Sequence, residues 1–307
     1  MLVVVTVVVI FQATSTPVDT AQPVAPPAGS ASTATSTPAR VAAGTPETVE
    51  EPAQQAPPDQ VAAVPGAVPD LTIRDADGHL AASIAAAALP AGPEFVAAGA
   101  GTWHVVPGTA PTHGTGEQAH TYSIEIEDGL QSADQDAAFA SAVDAILADP
   151  RSWIGGGQVS LTRIDTGDPD FRISLTSQLT VREPDQCGWE VPLEASCFNG
   201  YADRVFINDA RWVRGAMSFN GDIESYRSYA VNHEVGHALG MRHEPCPGTG
   251  QPAPVMMQQS WSTSDDDLSL LDPQTIPRDG NVCVANPYPF PGAQAAAPVS
   301  PAPTAAG

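Results

Sequence analysis

The eleven residues HEVGHALGMRH, running from His233 to His243, decide how the rest of the chain is read. On a helix, residues four apart share a face, so His233 and His237 can reach a single ion together. Glu234, one step round, can reach a water on that ion. Gly240 allows the chain to leave the helix in a left-handed conformation that a side chain would strain, which turns His243 back towards the first two histidines. Three neutral imidazoles suit Zn2+ and leave its fourth position open, the mark of a catalytic rather than a structural site. The chain has seven histidines in 307 residues, and these residue types at these offsets have a chance probability on the order of 10⁻⁵. The bland alternative is an ordinary helix with satisfied polar groups; a subtler one keeps the zinc and drops the catalysis.

Working outward, the helix that carries the motif is predicted over about 222–239. A second helix is predicted from Ser132, with Phe139, Val143, Ile146 and Leu147 on one face and Pro150 at its end. Tyr122, Ile124 and Ile126 alternate within 121–127, the pattern of a half-buried strand. Shorter strand signals lie in GAGTWHVVPG, beginning at Gly99, and at 158–164, 171–175 and 204–208. Strands, helix, strands and helix in this order predict an α+β class.

The flanks read differently. Residues 2–11 form a ten-residue apolar run, about half the roughly 20 needed to span a bilayer, so 1–15 is read as a truncated signal peptide or short membrane anchor. Residues 16–87, rich in Ala, Pro, Thr and Ser, are read as a disordered linker, 88–290 as the folded domain and 291–307 as a disordered tail. Net charge is −23, and all twelve basic residues are arginine. Such a chain has no means of neutralising a phosphate backbone, which excludes nucleic acid as a partner. Cys187, Cys197, Cys246 and Cys283 are an even set in a chain with an export signal, so two disulfides are expected among three possible connectivities. Cys187 with Cys197 and Cys246 with Cys283 is the expected pairing. A secreted protein, or one on the extracellular face of the envelope, follows, and nothing suggests an oligomer.

The extended HExxHxxGxxH pattern resembles that of the metzincin clan of zinc metallopeptidases, whose second mark is a methionine-containing turn beneath the metal. PVMMQ, at 254–258, stands where that turn belongs, with Met256 as its methionine and Met257 the alternative. The runs NHEVGHALG, HEPCPG, APVMMQQS and CVANPYP are similar to an exported actinobacterial metzincin-like family of unknown function. The resemblance implies a metzincin-like domain: a twisted mixed sheet with a backing helix and an active-site helix, then a small C-terminal subdomain. It implies a metalloendopeptidase that acts on a peptide or protein substrate, with Zn2+ on His233, His237 and His243 and Glu234 as general base. Two departures stand out. Gln258 or Gln259 falls where astacin-like and serralysin-like members carry a tyrosine near the metal, and no switch propeptide of that clan is recognisable. A zinc-stabilised binding or envelope module, or a zinc amidase acting on cell-wall peptides, are the competing expectations.

Weaker features complete the reading. His79, His104, His113 and His120 lack helical spacing and are read as surface or turn residues. Tyr226 and Tyr229 are expected to pack rather than to act, and Asp265 to Asp267 to form a solvated acidic loop rather than a calcium site. Arg211 and Trp212 are either a wall of the cleft or a structural corner.

Overall fold

The computed structural model describes residues 72–74, 80–130, 133–188 and 193–293. The expected export segment, the linker up to residue 71, His79 and the tail beyond residue 293 lie outside the described residues. A two-stranded antiparallel pair, β1 (Thr72–Arg74) and β2 (Leu80–Ser83), comes first. Then follow β3 (Trp103–Val105), β4 (Gln118–Glu127), α1 (Ala133–Ala148), β5 (Val159–Arg163) and β6 (Phe171–Thr176). After them come α2 (Gln178–Arg182), β7 (Cys197–Asn199), β8 (Arg204–Asn208), α3 (Asp209–Arg214), α4 (Ile223–Ala238) and α5 (Asp265–Leu268).

Six strands form one mixed sheet in the order β3-β4-β6-β8-β7, with β5 also paired to β4. Strands β4, β5, β6 and β8 run parallel, whereas β3 and β7 are antiparallel to their neighbours. The expected α+β class with a mixed sheet is what the chain forms. Register explains its two faces. Ile124, Ile173 and Val205 lie in one row and Ile126, Leu175 and Ile207 in another, and these rows share a buried core with Phe139, Val143 and Leu147 of α1 and Tyr229, Ala230 and Val231 of α4. The alternate residues point the other way, where buried Glu125 accepts from Ser174 Oγ and pairs with Arg204 at 3.0 Å.

A second buried cluster lies apart from the sheet. It joins Cys246, Met257, Trp261, Leu268 and Cys283 from the region after α4 to Ile84 and Ala87, which fall on the linker side of residue 88. Arg211 fixes that junction. Its guanidinium is fully buried and donates to the carbonyls of Ala87 at 2.6 Å, Glu194 at 3.0 Å and Gly215 at 3.2 Å. Arg211 is therefore a structural corner, and Trp212 stacks edge-on against Phe139 at 4.8 Å. Both disulfides join the expected cysteines, Cys187 to Cys197 and Cys246 to Cys283, with Cα separations of 5.9 and 5.7 Å. The acidic run at 265–267 corrects its sequence reading: it opens α5, and Asp265 is buried.

Candidate metal centre

Helix α4 is delimited by its own end groups. Asp222 caps its start, accepting the Ser225 N–H at 3.1 Å. At the other end Gly240 takes φ +87°, its N–H donates to His237 O, and the Met241 N–H donates to Gly236 O, both at 2.9 Å. This is a Schellman closure, and only glycine adopts that φ without strain. The reversal returns the chain along the helix end, and the Met241 carbonyl meets His237 Nδ1 at 3.0 Å.

That reversal gathers the three histidines. Their ligand atoms lie within 4.8 Å of one another, and His237 Nε2 and His243 Nε2 are 3.1 Å apart. A carbonyl can only accept, so the Val255 oxygen, 2.8 Å from His233 Nδ1, fixes the hydrogen there and the lone pair on Nε2. His233 Nε2 is buried and has no protein partner. The Met241 carbonyl imposes the same tautomer on His237. Burial lowers the pKa of all three histidines, to about 4 for His243 with His237 adding to the effect. An orphaned buried lone pair and two more imidazoles kept neutral beside it are the donor set that a transition-metal ion fits. The cluster can hold a metal ion.

Beneath it runs the chain at 254–260. Met256 belongs to the sheet-side core and lies against Gly236, where an added Cβ would overlap Met256 Sδ and the Trp153 indole. Met257 belongs instead to the second cluster. The Tyr229 hydroxyl donates to Met257 O at 3.0 Å and receives the Gln259 N–H at 2.9 Å, and Tyr226 Oη lies 3.1 Å from Ser260 Oγ. Both tyrosines thus hold this turn against α4 and do not line the cleft. Gln259 is likewise internal, its amide donating to Pro254 O and Asn286 O.

A cavity of about 280 Å³ opens on the site, lined by Ser196, Cys197, Phe198, Glu234, His237, His243 and Gln258. Glu234 is 4 % exposed, and burial alone pushes its pKa up to about 8. Gln258 Nε2 is 2.9 Å from His243 Nε2, so this amide touches a ligand nitrogen. The β7 residues and the position of Gln258 were not foreseen. Three residues that begin at a disulfide cysteine give no periodic signal, and only the folded turn separates Gln258 from Gln259. Of the remaining histidines, His104 lies between Asp128 and Asp136, at 2.7 and 3.2 Å, away from this cluster.

Two histidines and a buried carboxyl on one helix, with a third histidine returned from beyond its end and the whole packed under a mixed sheet, define a candidate metal centre in an α+β domain. Residues 89–291 match the family described as a protein of unknown function (DUF3152), and the chain belongs to that family. A search of curated proteins found no match.

Proposed function

We propose that this protein is an exported zinc metallopeptidase that hydrolyses peptide bonds with Glu234 as general base. The observation that carries the reading is the buried Glu234 carboxyl on the same cavity wall as His237 and His243. Zn2+ on His233, His237 and His243 would supply Lewis acidity, polarising a carbonyl and acidifying a water. With a cation held there, the carboxylate form of Glu234 would be favoured, so that it could serve as a base at neutral pH. Glu234 then removes a proton from the attacking water, holds it in a site shielded from solvent, and delivers it to the departing amine nitrogen. Gln258 offers an amide N–H to the oxygen that becomes negative as water adds, where a tyrosine stands in better-known relatives of the motif. The cavity is bounded by β7, so an extended peptide has a strand beside which to lie. Two disulfides support export to an oxidising compartment, and no helix among the described residues is long and apolar enough to cross a membrane.

The test compares two variants by zinc content and turnover of a quenched peptide library. Glu234→Ala should retain stoichiometric zinc and lose at least ~10²-fold in turnover, while His243→Ala should bind zinc at least ~10-fold more weakly. Unchanged turnover in Glu234→Ala would remove the base from the mechanism.

A further inference from the structure

Asp265 is 0 % exposed at the start of α5. Its Oδ1 accepts the Cys246 N–H at 2.9 Å, while its Oδ2, equally buried, meets no donor. Burial raises the pKa of Asp265, and Asp279 and Asp266 raise it further against the opposing Cys246 N–H. The loop that carries Asp279 is folded onto the same place: Asn281 O accepts the Asp265 N–H at 3.0 Å, and Asp266 Oδ1 accepts the Gly280 N–H at 2.9 Å. Asp279 binds the backbone and side-chain N–H groups of Asn281, and Asn281 Oδ1 accepts from Thr249 at 3.3 Å. Among the described residues no arginine or histidine forms an ion pair with any of these carboxylates.

A buried carboxylate oxygen without a donor, pressed against a second carboxylate, is destabilising unless something positive joins them. We propose that Asp265 and Asp279 bind a divalent cation of the calcium type and clamp α5 to the 279–281 loop. The donors are all hard oxygens, unlike the imidazoles of the metal centre. Asp265 opens α5 while Asp279 sits on irregular chain, and the exposed side of the loop leaves room for water ligands, a combination that calcium tolerates and that gives extracellular sites Kd values of about 10⁻⁴ to 10⁻³ M. The rival occupant is a proton shared by the two carboxyls.

The zinc-loaded full chain is melted with and without calcium at pH 7.5, beside Asp279→Ala, which removes an exposed side chain and leaves the core intact. Calcium at ten times its Kd should raise the wild-type Tm by roughly 3 °C and leave Asp279→Ala unmoved. Terbium should give emission sensitised by Trp261, which shares the second cluster with Cys246 and Leu268; calcium should displace it, and Asp279→Ala should abolish it. The proposal is overturned by an unmoved wild-type Tm, by an equal calcium shift in Asp279→Ala, or by a chain that calcium ignores and acidification to pH 5 stabilises, the last being the signature of the shared proton.

Discussion

Glu234 makes a prediction that needs no substrate. In the metal-free fold its pKa rises from 4.5 to about 8 through burial, so between those values the folded chain holds a proton that the unfolded chain has released. Stability therefore falls as pH rises through this window, by up to about 1.4 kcal/mol per unit. Glu234→Gln removes the effect: urea unfolding of chelator-treated protein should show the two forms equal near pH 4.5 and the variant more stable by a few kcal/mol above pH 8. The histidines act in the opposite sense. Their lowered pKa values give stability that is present above 6.5 and lost as pH falls towards the folded value, about 4 for His243. A second residue-scale prediction concerns Gly236, whose missing side chain is the space that Met256 Sδ and Trp153 occupy. Gly236→Ala should destabilise by about 1–3 kcal/mol despite its better helix propensity, as overpacking does, measured by thermal unfolding. The five motif residues were readable because their spacing is itself the signal. Gly236 was not, because nothing in the sequence shows which helix face the turn methionine will meet.

At the scale of elements, α4 is built by its ends. Asp222→Ala should cost about 0.5–2 kcal/mol through the lost cap. Gly240→Ala, strained at φ +87°, should cost about 1–2 kcal/mol and weaken zinc binding as well, since the same reversal brings His243 to the cluster. A competitive chelator titration reads the second effect, and Asp222→Ala should leave zinc affinity unchanged. Long elements with a regular period, α1, α4 and β4, were legible from residues such as Phe139, Val143 and Leu147 that fall on one face. The shorter strands β3, β5, β6 and β8 were also legible, from brief apolar stretches between turns, whereas β7 and α3 were not. Helix α3 has six residues and owes its start to Asn208, whose side chain accepts the Ala210 N–H at 3.0 Å, while β7 exists because β8 pairs with it. Both are set by neighbours distant in sequence, which a local pattern cannot contain.

For the whole molecule, the two disulfides divide their work by loop length. The Cys246–Cys283 bond closes 37 residues and includes the 254–260 turn, so replacing both cysteines with alanine should cost about 4 kcal/mol in the chain-entropy model. The Cys187–Cys197 pair closes only 10 and should cost about 3 kcal/mol, while freeing the strand that borders the cavity. Urea unfolding of the two double variants separates them. Composition marked where the folded region lies but not that Ile84 and Ala87 enter its second cluster, since an alanine-rich stretch looks the same whether Arg211 anchors it or solvent surrounds it. If the His233, His237 and His243 cluster and Glu234 form a hydrolytic centre, as proposed, digestion of a proteome-derived peptide mixture with the zinc-loaded protein and with its Glu234→Ala twin, read as new termini by mass spectrometry, should show it. New termini with the wild type alone are the predicted result; identical termini, or none from either protein with zinc stoichiometrically bound, would contradict it.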